Sequence, residues 1–281
     1  MTKKAVLTTG LLTVLIAISA FLFYNVEADG KLDKKNYVQS TTPTLFFHGY
    51  GSSANAERHM TNAAKKAGVT KTVIRANVDR NGAVTLRGDI PKGAINPIVE
   101  VNYEDNRNPI DVGRYAKAVV SKLQEKYGFT KMNMVGHSLG NMSILYYLLE
   151  HAQDENLPQL QKQVNIANFA AGLEAMGLSS DVKVDKTTGQ PNQVTQTFQR
   201  LLPLREVFPQ NQIDVLNIYG DYKNGSDGSV LNASSRSLKY LVADNAKSYQ
   251  EKKITGKLAQ HSQLHENQEV DKILIQFLWG K

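Results

Sequence analysis

The 281-residue sequence predicts an α/β chain: a doubly wound, mostly parallel sheet with a cap or lid insertion. Three observations lead there. A short apolar run, Met132 to Val135, ends in Gly136-His137-Ser138-Leu139-Gly140, and a helix-patterned apolar run to Leu149 follows at once. A second apolar run, Thr44 to Phe47, enters His48-Gly49-Tyr50-Gly51. Around these, strand-like runs alternate with helical periodicity, the pattern of β–α–β units.

Each element follows in order. Met1 to Lys4 is a basic start, and Ala5 to Val26 carries no charge. That stretch exceeds the core of most signal peptides and is long enough to cross a bilayer, so residues 1–28 read as a signal peptide or an N-terminal membrane anchor. Val26-Glu27-Ala28 would serve as a cleavage site, and the absence of cysteine removes lipoprotein anchoring. With basic residues inside, the rest of the chain would face the exterior. Residues 29–281 suit one domain of about 250 residues. Within it, Thr44 to Phe47 is a strand. Thr72–Val78 and Ala83–Arg87 flank Asp79-Arg80-Asn81-Gly82, a hairpin with an Asn-Gly turn. Ile98 to Asn102 is a strand. Asp111 to Tyr127 is a helix, with Val112, Tyr115, Ala116, Val119, Val120 and Leu123 on one face and Gly128 ending it. Val164 to Phe169 is the next strand. Residues 173–212 form an excursion, polar near 181–195, with a helix at Gln193 to Leu202 and Pro203 and Pro209 closing it. It is either a cap over the site or an exposed loop. Ile213 to Gly220 is the penultimate strand. Val270, Ile273, Leu274, Phe277 and Leu278 then mark a terminal helix, with Asn267 at its start.

The chemistry is carried by Gly136-x-Ser138-x-Gly140. A strand, a sharp turn and a helix hold a serine hydroxyl above a sheet edge, and a Cβ at either glycine would strike a neighbour. The plain alternative is a glycine-rich turn that only caps the helix. A nucleophilic serine needs a base. On this turn the order along the chain is serine, acid, histidine, which leaves His261 and His265. His261 is preferred, because it sits in the loop ahead of the terminal helix; His265 stands closer to the helix start and suits packing on the site. The acid lies between Asp221 and Asp227. Asp221 follows the strand directly and reads as a turn former. Asp227, followed by Gly228, Val230 and Leu231, suits a loop that aims a carboxylate at an imidazole. Backbone N–H groups of Tyr50 and Leu139 would hold a developing oxyanion. His48, Gly49 and His137 would shape the site, and His59 and His151 are ordinary surface or helix residues.

Composition narrows the alternatives. With no cysteine, disulfides, thiolate nucleophiles and cysteine metal sites are excluded. Net charge is +7; residues 1–28 remove two lysines and one glutamate, leaving +6. The lysines are scattered, and no nucleic-acid motif is present.

In that arrangement the chain resembles the α/β-hydrolase superfamily, and within it a functionally unassigned family of cell-surface hydrolases from Gram-positive bacteria. The matching stretches are Pro43 to Gly51, Asn96 to Asn102, Met132 to Gly140, Gly225 to Gly228 and His261 to Asn267. The resemblance implies that Ser138, Asp227 and His261 form the triad. It leads to the expectation of a serine hydrolase acting on small-molecule or lipid esters, without metal or organic cofactor. An acyltransferase, or a silent binding module on the same fold, is the alternative. Fold alone never fixes the reaction.

Overall fold

Leu45 and Phe47 point to one side of the first strand and Phe46 to the other, and all three are buried. A strand apolar on both faces belongs inside a sheet covered by helices on both sides. The computed structural model, which describes residues 31–281, has it there. The segment expected at 1–28 lies outside the described residues.

In chain order the elements are β1 (Thr44–Phe47), α1 (Arg58–Lys66), β2 (Val73–Val78), β3 (Val84–Arg87), β4 (Ile98–Tyr103), α2 (Val112–Tyr127), β5 (Lys131–His137) and α3 (Leu139–His151). Then come β6 (Gln159–Ile166), α4 (Gln196–Leu201), α5 (Leu204–Val207), β7 (Asp214–Asp221), α6 (Asn232–Arg236), α7 (Leu238–Val242), β8 (Ser248–Thr255) and α8 (Gln268–Trp279). The eight strands form one sheet in the order β3-β2-β4-β1-β5-β6-β7-β8. Only the β2–β3 pairing is antiparallel. Helices α2 and α3 cover one face, with Val112, Tyr115, Val119, Leu123 and Leu145 in its core. Helices α1 and α8 cover the other, through Met60, Ala64, Val270, Leu274 and Trp279. The eight-stranded sheet and both cores described above are built from residues 31–281. Among the described residues, no helix is long and apolar enough to cross a membrane.

Several boundaries differ from those expected, each for a local reason. The hairpin turn is organised by Asp79, whose Oδ1 accepts from the N–H groups of Asn81 and Ala83, so the connection is longer than a two-residue Asn-Gly turn. Strand β6 begins at Gln159 and stops at Ile166, because Ala167 takes a positive φ of 49° that breaks the ladder. Helix α4 begins only at Gln196, where Thr195 accepts from the Phe198 N–H as its cap. In the 173–212 excursion, Phe198, Leu201, Leu204 and Phe208 are buried in the core shared with α3. That half is part of the domain's interior and not a cover. The stretch from Glu174 to Val194 is mixed: Leu178 and Val182 are buried in the same core, while Met176 and Val194 are exposed. The last strand, implied after the penultimate one but given no residues, is β8, which is mostly polar; helix α1 had no expected counterpart and is short, with only Met60, Thr61 and Ala64 buried.

Candidate active site

The parallel sheet brings the loops after β1, β4, β5, β6, β7 and β8 to one edge, where ligands meet open α/β sheets. Ser138 lies between β5 and α3 with φ 52° and ψ −119°, outside the regions an L-residue prefers. The turn is held from below. The Ser138 N–H donates to Ile166 O at 3.0 Å, and the Asn141 side chain donates to Ser138 O and Ile166 O at 2.9 and 2.8 Å. The glycines answer to space. A Cβ on Gly140 would stand 2.0 Å from Phe47 O, and one on Gly136 would stand 2.7 Å from the Asn141 nitrogen.

His261 Nε2 is 2.9 Å from Ser138 Oγ, and His261 Nδ1 is 2.8 Å from Asp227 Oδ2. Asp227 is only 1% exposed. Its other oxygen accepts from the Ser229 and Val230 N–H groups at 2.8 and 2.7 Å, and its backbone O from the His261 N–H at 2.8 Å. The carboxylate is therefore aimed by its own loop, while Gln260 caps the turn of His261 by accepting from Ser262 and Gln263. Gly220, at the end of β7, lets the two loops close: a Cβ there would meet Ala259 O at 2.0 Å and Asp227 Cβ at 3.0 Å. Asp221 is a turn former, accepting from the Gly225 N–H and pairing with Lys253 at 3.1 Å.

On the opposite flank, His48 is buried and neutral, its pKa lowered chiefly by burial. Its Nε2 accepts from the Tyr103 N–H at 3.2 Å, which fixes the tautomer and leaves Nδ1–H to donate to Gly49 O at 2.8 Å. In a trans peptide the C=O and N–H point opposite ways, so holding Gly49 O turns the Tyr50 N–H the other way. Among the described residues neither the Tyr50 nor the Leu139 N–H has a hydrogen-bond acceptor. Gly49 packs against Ser138 and His137. The neighbouring loop clamps this one: Gly51 N–H donates to Asn106 O and the Asn106 side chain to Ser52 O.

His137 is fully buried, its pKa driven well down by burial and then by His261 and His265; its Nε2 lies 3.0 Å from His261 O. His265 stands behind it, ring centroids 4.8 Å apart, with Nδ1 3.3 Å from Glu266. It packs on the site without reaching Ser138 through any described hydrogen bond. His59 belongs to an ion-pair group with Glu266 and Asp271 at 3.3 and 2.8 Å, a more constrained setting than a plain surface residue. Asn141, Tyr103, Asn106 and Gly220 were not singled out from the sequence. Only Asn141 carried a signal, its place directly after the glycine-flanked turn.

The family described as "Alpha/beta hydrolase of unknown function (DUF915)" matches residues 31–281. Among solved structures, the chain is similar to the lin2722 gene product of Listeria innocua, at 25% identity and a TM-score of 0.74, over 85% of this chain and 94% of that one. It is also similar in fold to a proposed cell surface hydrolase of Lactobacillus plantarum WCFS1, at 20% identity and a TM-score of 0.67, over 84% and 89% of the two chains. No curated protein matches the sequence.

Proposed function

The chain belongs to the family of α/β hydrolases of unknown function, and from that premise we propose that it is a serine hydrolase cleaving carboxylic esters on the outer side of the cell membrane. One observation carries the reading: the unbroken line from Ser138 Oγ through His261 to Asp227, with contacts of 2.9 and 2.8 Å. A serine, an imidazole and a buried carboxylate in that order activate a hydroxyl.

In this mechanism Ser138 Oγ attacks the ester carbonyl while His261 Nε2 takes its proton. Asp227 keeps the Nδ1–H tautomer and stabilises the imidazolium without accepting the proton. The carbonyl oxygen, now negative, receives hydrogen bonds from the Tyr50 and Leu139 N–H groups, each worth about 3–4 kcal/mol in the transition state. His261 then gives its proton to the departing alcohol oxygen, leaving Ser138 acylated. A water molecule loses a proton to His261 and attacks the acyl carbon, the acid departs, and the proton returns to Ser138 Oγ.

Exposed apolar side chains on the loops of the Ser138 edge support an apolar ester. Tyr50, Ile110, Met176, Tyr222 and Leu258 are exposed, and each follows the C-terminal end of a strand at the Ser138 edge. An outer location is supported by the uncharged stretch Ala5 to Val26 and by the similarity in fold to a Lactobacillus plantarum protein described as a cell surface hydrolase. The test is a series of p-nitrophenyl esters of increasing acyl length, with product analysis in the presence of an added alcohol. Turnover that is lost in Ser138→Ala, with free acid as the main product, is the expected result. Transfer of the acyl group to the alcohol would make the protein an acyltransferase, and absence of turnover on every ester would remove the reading.

A further inference from the structure

The sheet has a second edge, at the N-terminal ends of its strands, and the charge of the two edges differs. Residues 31–33 run along the C-terminal end of α1 and the loop into β2: Asp33 N–H donates to Gly68 O at 2.9 Å, and Lys31 O lies against Gly68. The C-terminus arrives at the same place. Lys281 N–H donates to Asn36 O at 3.2 Å and Lys281 Nζ to Lys34 O at 2.7 Å. Together these contacts gather Lys31, Lys34, Lys35, Lys66, Lys71 and Lys281 on one exposed base. None of the six makes an ion pair among the described residues. Asp33 lies in their midst, its carboxylate taken by Lys35 N–H and by the backbone and side-chain N–H groups of Asn36, and Asp271, which is buried, lies within the field of Lys66.

The Ser138 edge is different. Its loops 104–111 and 174–186 hold Glu104, Asp105, Asp111, Glu174, Asp181 and Asp185 beside Arg107, Lys183 and Lys186, and Arg80 and Arg114 pair with Glu104 and Asp111 at 3.3 and 3.1 Å, so these loops are close to charge balance. A domain with an unpaired basic base and a nearly balanced opposite edge is oriented by a negative plane, base inward. The base is also where residue 31 enters the fold, a few residues beyond the uncharged stretch Ala5 to Val26.

We propose that this lysine base is a docking surface for an anionic lipid bilayer, which holds the domain with its Ser138 edge turned away from the membrane. Each lysine brought near anionic headgroups adds roughly fivefold to partition, and screening by salt weakens it. The proposal is independent of the reaction at Ser138.

Residues 31–281, which build the eight-stranded sheet and both cores, are sedimented with vesicles of phosphatidylcholine alone and with 30 mole per cent phosphatidylglycerol, the latter also in about 0.5 M salt. The expected result is binding only to the anionic vesicles, released by salt. The variant Lys34→Glu/Lys35→Glu/Lys66→Glu/Lys71→Glu should lose at least about a hundredfold in partition, while Lys183→Glu/Lys186→Glu/Lys257→Glu should keep the original value. Thermal melts show whether each variant is folded, and Lys→Gln versions of the same four residues give a second reading. Equal binding to neutral vesicles, no binding to anionic ones, or an equal loss in the two reversal variants overturns the proposal. Because the chain has no cysteine, Lys71→Cys and Tyr222→Cys in the full chain on anionic vesicles each accept one fluorophore. The base label should transfer energy to a headgroup dye far more than the edge label, and the reverse would show the opposite orientation.

Discussion

His48 touches no reacting atom in the proposed mechanism, yet it fixes the peptide that presents the Tyr50 N–H. Losing its donor to Gly49 O frees that peptide to rotate, so His48→Ala should lower kcat by about one to two orders of magnitude with little change in KM. Steady-state kinetics on an ester checks this, and a KM effect without a kcat effect would place His48 in substrate binding. Asp227→Asn should keep the fold and lower kcat about 10⁴-fold through the wrong imidazole tautomer. The sequence carried much at this scale. The order serine, acid, histidine narrowed the choice to few residues, and Ser138, Asp227 and His261 do lie in hydrogen-bond contact. What it could not carry was the support. Tyr103 lies 55 positions from His48, and Ala259, which needs Gly220 bare, lies far along the chain from it. Such partners are set by strand order, which no local pattern encodes.

Among the elements, the approach of α3 to β1 leaves no room at Gly140. Its added Cβ would overlap backbone oxygen and not a movable side chain, so Gly140→Ala should cost about 3 kcal/mol or more by overpacking. Chemical denaturation measures that loss, and a variant within 1 kcal/mol of the parent would mean that the turn relaxes easily. Long apolar elements were legible: α2, α3 and α8 show one buried stripe or complete burial, and β1, β4 and β7 are nearly continuous apolar runs. Strand β8 was not. As an edge strand it buries Ile254 alone, with Lys252 and Lys253 exposed and Glu251 half-buried against Arg236, so its position comes from pairing with β7 and not from its own pattern. The excursion after β6 was ambiguous for the opposite reason. Its apolar residues serve the core beside α3, while polar runs around them read as loop.

Across the whole molecule, stability is linked to pH through Glu57, ahead of α1. It is fully buried with neither carboxylate oxygen partnered, and burial, then repulsion from Glu100 and Glu266, pushes its pKa from 4.5 to about 8. The unfolded chain releases this proton near 4.5 and the folded one near 8. Between those values the folded state binds more protons, so this contribution is fully present below 4.5 and is lost as pH rises towards 8. The slope is at most about 1.4 kcal/mol per pH unit. Urea melts across that window should show Glu57→Gln more stable than the parent at pH 8 and flatter with pH; identical slopes would mean that water reaches the carboxylate. The central claim concerns the site that the assembled sheet creates. A fluorophosphonate probe, which reacts only with activated serines, tests it most directly on the full chain beside Ser138→Ala, His261→Ala and His265→Ala. Labelling mapped to Ser138, abolished by His261→Ala and kept by His265→Ala, is the expected result. Folded protein that takes no label, or label that survives His261→Ala, would contradict it.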